Sequence, residues 1–277
     1  MTFLADTIPG THPTVQVCSG SSFFCTFNLD TLISSGIAIA LTVGIVFAVA
    51  VRVRSGTPGR LQMVLELLLS YTRSLIRDMV AEDAAFIMPI AATIFLFILI
   101  ANWIDFFPLQ QPVVPANADV NLTFAMAITV IVIVQWYSVR VLGWRGYFRR
   151  YTRPFELSKP IRAVFVPLNV IEEVAKPISL ALRLFGNIFG GLVMVYLLTL
   201  AYTAFVGSSP IQTAISPFWI VGLVIWKLFD VFLIGTIQAF IFMLLTVIYF
   251  GMAREGLEEE EHHAGAAPAT QVRSDTA

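Results

Sequence analysis

The chain is predicted to be an all-α integral membrane protein, with about five transmembrane helices and one amphipathic helix along the membrane surface. Three observations predict this. Hydrophobic residues make up 57% of the chain and charged residues only 13%, whereas soluble domains carry about 25% charged residues. Mean hydropathy is +0.82. Apolar stretches recur at the length of about twenty residues that a helix needs to cross roughly 30 Å of hydrocarbon. The formal net charge of −1 points to no partner, because the charges are segregated along the chain, and no nucleic acid is expected.

Residues 1–30 hold no Lys or Arg, so the basic start of a cleaved signal is missing and none is expected. This segment is predicted to lie outside the membrane. Cys18 and Cys25 sit in it, seven apart. Facing an oxidising compartment they would be able to form a disulfide; two free thiols is the other reading. His12 is the one histidine near them, so no metal site is expected there.

The membrane domain runs over 31–253. Its first three spans are predicted at 31–51, 84–104 and 120–139. A longer apolar region follows and is broken by the Gly-Ser-Ser-Pro turn at 207–210, which gives spans at 164–206 and 211–253. Residues 60–80 differ. Leu61, Val64, Leu65, Leu68, Leu75, Ile76 and Met79 recur at helical spacing, while Glu66, Ser70, Arg73 and Arg77 fill another face. That pattern predicts a helix lying in the interface rather than crossing it.

Basic residues set the orientation. Arg52, Arg54, Arg60, Arg73 and Arg77 follow the first span; Arg140, Arg145, Arg149, Arg150, Arg153, Lys159 and Arg162 follow the third. Loop 108–119 and the turn near Gly207 have none. The N-terminus is therefore expected outside and the C-terminus in the cytoplasm. The tail, 254–277, is acidic at 258–261 and then carries His262 and His263. A solvated acidic tail is expected there rather than a metal site.

The last two spans carry polar stripes. Glu172, Lys176, Ser179, Arg183, Asn187 and Gly190 are spaced by three or four residues, which is one helical face. Arg183 then has no charged residue after it until Lys227. A charge at the centre of a membrane helix costs about 2.5–3.5 kcal/mol on insertion scales. Arginine cannot escape by losing its proton, because its pKa exceeds about 12. Such a residue is read as functional, with a partner facing it; a structural ion pair within the chain is the plainer alternative. Gly186, Gly190 and Gly191 form a small-residue surface for close helix approach, or ordinary helix packing. Lys227, Asp230, Ile234 and Gln238 repeat the pattern at intervals of three and four. Lys227 and Asp230 either neutralise each other or leave Asp230 free to relay protons. Gln238 is either interhelical glue or part of a site with Arg183.

At these residues the chain resembles subunit a of the membrane sector of bacterial rotary ATP synthases. The resemblance rests on Lys176-Pro-Ile-Ser-Leu-Ala-Leu-Arg183-Leu-Phe-Gly-Asn187 and on the segment from Ile237-Gln238-Ala-Phe to Thr246. Asn102-Trp-Ile-Asp105-Phe-Phe-Pro108 and Asp119-Val-Asn-Leu-Thr123 are similar to further family segments. The resemblance implies a multi-pass stator of the bacterial plasma membrane, non-catalytic and without cofactor. Its last two helices would lie long and tilted against a rotor, the c-ring, with subunit b of the peripheral stalk as another partner. Two half-channels would reach mid-membrane from opposite sides, with the essential arginine between them.

The resemblance places that arginine at Arg183, with Asn187 and Gln238 as the polar residues beside it and Ser179 on the same stripe. Asp105 matches an acid near the outer entrance, and Glu173 an acid of the inner exit, with Glu172 its neighbour. Facing a rotor carboxylate at about 4 Å with an effective dielectric of about 20, an arginine contributes about 4 kcal/mol. That favours the ionised acid roughly a thousandfold. One departure stands out. Many family members place an ionisable group nine residues after the arginine or seven before the glutamine; here those positions are Leu192 and Val231. Asp230 is one residue off, about 100° around a regular helix.

Two other classes compete. A self-contained channel or secondary transporter would be expected to show internal repeats. An intramembrane enzyme would need a nucleophile or metal set within the spans, and all three histidines lie outside them.

Overall fold

The computed structural model describes residues 14–16, 26–53, 59–79, 86–107, 116–152, 159–206 and 215–253, with single positions 209 and 213. Cys18, Cys25 and the tail with His262 and His263 lie outside the described residues, as does the turn at 207–208 and 210.

Among the described residues six helices carry the fold: α1 (Leu29–Arg52), α2 (Arg60–Met79), α3 (Ile87–Ile104), α4 (Val120–Thr152), α5 (Lys159–Phe205) and α6 (Pro217–Met252). Five of them, all but α2, contain a stretch long and apolar enough to cross a membrane. The chain is a multi-pass, essentially all-helical membrane protein. Two short strands, β1 (Thr14–Gln16) and β2 (Thr26–Asn28), pair antiparallel ahead of α1. They are an addition to the helical expectation, too short to give an alternating pattern in the sequence.

Helix α1 turns its polar face inward, as lipid demands. On α1 the buried residues are Asp30, Ser34, Ala38 and Thr42, one every fourth position, while Leu32, Ile39, Val43 and Phe47 are exposed. α3 and α6 pack along each other at the centre, flanked by α4 and α5. Ile87 and Ile98 of α3 and Phe242, Met243, Val247 and Phe250 of α6 are fully buried. Phe86, Tyr137 and Phe250 close one end of this core, with ring centroids 5.3–6.0 Å apart.

α2 matches the amphipathic reading. Thr72 and Ile76 are buried against the bundle, and Tyr71 meets Phe240 of α6 at 5.7 Å. Leu61, Val64 and Leu67 remain exposed, an apolar face turned toward lipid.

α4 is longer than its predicted span of 120–139. The helical path continues to Thr152, through Gly143 at φ 68 and ψ 165. Only glycine adopts that conformation without strain, so the axis breaks there. The arginines after Val139 end the uncharged run but not the helix. Similarly, α5 stops at Phe205 and α6 starts with Pro217 at its first turn. Proline lacks the N–H that an interior position needs and suits a helix start.

Candidate functional site

The site lies where α5 and α6 meet. Arg183, Asn187, Gly186 and Gly190 all face outward from the bundle, one beneath another on α5. On the opposite side of the same helix Leu180, Ala181, Leu184 and Ile188 are buried. The 3.6-residue period thus splits α5 into an apolar seam facing the protein and a polar stripe facing away from it. A Cβ placed on Gly186 or Gly190 would meet nothing within 4 Å, so the stripe is an open surface.

Among the described residues no carboxylate lies within ion-pair distance of Arg183. The intrachain ion pair, the plainer reading of this arginine, is therefore not what the described residues form. Next to it, the Asn187 amide donates to the Gln238 side-chain oxygen at 2.7 Å. Gln238 is 1% exposed, and its own amide nitrogen has no hydrogen-bond partner among the described residues. The sequence stripes on the two helices thus converge on one point.

Asp230 is also brought to this seam. It is 4% exposed and packs against Gly191 so closely that a Cβ there would overlap its carboxyl group. The missing side chain at Gly191 is what gives the carboxyl room. Gly191 therefore differs from Gly186 and Gly190: it is buried and serves Asp230, while the other two lie on the open stripe.

The ion pair of Lys227 is not with Asp230, which its charge reaches only from a distance. Its ammonium donates to Asp105 at the end of α3, at 2.5 Å, with both side chains largely buried. Burial pushes the Asp105 carboxyl above its ordinary range, opposed by the charge and hydrogen bond of Lys227. The pair clamps α3 to α6, and it leaves the Asp230 carboxyl on the Gly191 side.

At the other part of α5, Glu172 and Glu173 separate. Glu172 has 67% of its side chain exposed and lies 4.0 Å from Lys176. Glu173 is mostly buried, receives the Gln135 amide from α4 and pairs with Lys176 at 2.8 Å. Ser179 lies on the exposed stripe between this cluster and Arg183.

Several polar residues gained no role from the sequence. Asn102 donates to the Gly235 carbonyl at 3.0 Å and accepts from Asn117 at 2.7 Å. Asp119 accepts from Asn28 at 2.6 Å and from Thr31 at 2.7 Å, tying the start of α1 to the start of α4. Their signal was present: each is a polar side chain next to an apolar run. Their partners lie 15–133 residues away, which no spacing reveals.

The chain is similar over most of its length to proteins of one family. A sequence profile of the ATP synthase A chain matches residues 32–251. The chain is 38% identical to ATP synthase subunit a of Acidothermus cellulolyticus over 270 residues, covering 95% of this chain and 90% of that one. It is 37% identical to the Mycobacterium ulcerans subunit a over 249 residues, with 86% and 91% coverage. With the Coxiella burnetii subunit a it shares 36% identity over 252 residues, with 84% and 87% coverage. The matched region contains both polar stripes, from Glu172 to Gln238, and the chain belongs to the ATP synthase A chain family.

Proposed function

We propose that the chain is the proton-translocating stator subunit of the ATP synthase membrane sector, with no catalytic centre of its own. The observation that carries this reading is Arg183. It stands on an outward face, beside the Asn187–Gln238 bond, with no carboxylate of the described residues to neutralise it. A permanent cation on an apolar surface needs an anion supplied from outside the chain. A ring of c subunits, each offering one carboxyl group, supplies such a partner and renews it as it turns.

In this mechanism a proton enters from the outer side past Asp105 and Asp230 and neutralises a ring carboxylate. The neutral site turns into lipid. After a near-complete turn it reaches the inner half-channel, where Glu173, with Glu172 at its mouth, accepts the proton toward the cytoplasm. Arg183 then holds the emptied carboxylate ionised and bars a direct path between the two channels. Ser179, Asn187, Gly186 and Gly190 make up the face along which the ring slides. Each charge crossing releases about 2.3 kcal/mol per 100 mV, which drives the rotation. The N-terminus lies outside and the C-terminus in the cytoplasm of a bacterial plasma membrane. Subunit b holds the chain against the torque.

A self-contained channel or transporter fits less well, because Arg183 opens outward rather than into an interior path. Disulfide crosslinking tests the rotor face. Gly186→Cys should crosslink to a c subunit carrying cysteine on its carboxyl-bearing helix. Val43→Cys, exposed on α1, should not. Crosslinking from α1 alone would place the ring on a different face and reject the assignment.

A further inference from the structure

The register of α6 is not that of a regular helix. Over Phe229–Ile234 it widens into a π turn, and the Gly235 N–H donates to the Asp230 carbonyl, five residues back. A π turn holds one residue more than an α turn, and such turns are frequent at functional sites. The consequence is rotational. In a regular α-helix Asp230, eight residues before Gln238, would sit about 80° away from it, and Val231, seven before, within about 20°. With one residue absorbed by the wide turn, Asp230 moves onto the face of Gln238. Its surroundings agree. Asp230 abuts Gly191 of α5, one turn beyond the Asn187 that binds Gln238, while Phe229, Phe232 and Leu233 point outward. Lys227, three residues earlier, is directed instead to Asp105 on α3.

We propose that the π turn and Gly191 together form a positioning device for Asp230: the turn rotates the carboxyl onto the Gln238 face, and the bare glycine seats it between α5 and α6. Lys227, ion-paired with Asp105 on α3, completes the device by making no direct ion pair with that carboxyl. This rests on the proton-translocating reading above. A carboxyl one position away, at 231, would occupy the wrong angle in this register. Removing the extra residue would straighten the helix, yet keep Asp230 where it is.

The test is proton flux through assembled complexes in vesicles. Asp230→Asn combined with Val231→Asp moves the carboxyl by one position and should lower flux by at least about tenfold. Gly191→Ala should lower it comparably, since its Cβ would displace the carboxyl. Deletion of Leu233, which points outward, should keep flux at the parent level. Parent-level flux in the carboxyl-shifted variant or in Gly191→Ala would overturn the proposal. So would loss of flux in an assembled Leu233-deleted complex. If that deletion prevents assembly, the carboxyl-shifted variant decides alone. Arg183→Ala, run alongside, separates the two levels: normal synthesis there would sink the functional reading itself.

Discussion

Lys227 and Asp105 show how a single pairing redistributes roles among neighbours. By spacing, Lys227 belongs with Asp230, three residues on; in the structure it crosses to α3 and binds Asp105. Removing one partner of a buried pair costs about 3–5 kcal/mol, because the other charge is left uncompensated. Lys227→Met is therefore expected to lower thermal stability, and the loss should grow with pH. The sign follows from Asp105. Its carboxyl titrates above the ordinary range when folded, so the folded state holds the proton more tightly than the unfolded chain. That contribution is full at low pH and is lost as pH rises through the raised value. Without Lys227 the rise is larger. Melting curves of purified protein in detergent between about pH 5 and 8 would show it; a pH-independent loss would mean that Asp105 is not held by Lys227. The two glutamates offer a second residue-scale contrast. In the proposed mechanism Glu173, bound by Gln135 and Lys176, is the inner relay, while Glu172 is mostly solvated. Glu173→Gln should cut ATP synthesis by about tenfold or more while Glu172→Gln changes it little. The reverse order would exchange their roles.

Helices were legible where one physical demand governs them. The apolar length of α1, α3 and α6 and the mixed faces of α2 follow from hydrocarbon thickness and the 3.6-residue period. Features decided by tertiary context were not. The extension of α4 to Thr152 lies in a basic run that reads as a loop, and the π turn in α6 leaves no mark in composition. In the proposed register that turn is why Asp230 stands one residue out of place in the sequence. The convergence of Asn187 and Gln238, in contrast, was visible from the stripes, since each sits on the polar face of its own helix. Gly143 gives the prediction that belongs at this scale. Its φ of 68 and ψ of 165 form a region essentially reserved for glycine, with a cost of about 1–3 kcal/mol for other residues. Gly143→Ala should lower stability by that amount, or straighten α4. Either effect would appear as a reduced melting temperature or as altered lipid accessibility of cysteines placed beyond the break. An unchanged protein by both measures would show that the break is not fixed by Gly143.

On the scale of the whole molecule, the bundle is built around α3 and α6, and it presents the polar stripe of α5 outward rather than enclosing it. A protein that buried its own charges would have paired Arg183 internally. Here Asp105 is bound to Lys227 and Glu173 to Lys176 and Gln135, and Asp230, seated against Gly191, makes no ion pair with Arg183 among the described residues. The stator reading makes that open arginine the point where proton flow and rotation are coupled. The most direct measurement is ATP synthesis together with passive proton leak in vesicles carrying Arg183→Ala in a fully assembled complex. Lost synthesis with an increased leak is the predicted result, because the variant removes both the cation that discharges the ring and the barrier between the half-channels. Normal synthesis with no added leak would contradict the account and return Arg183 to a structural role.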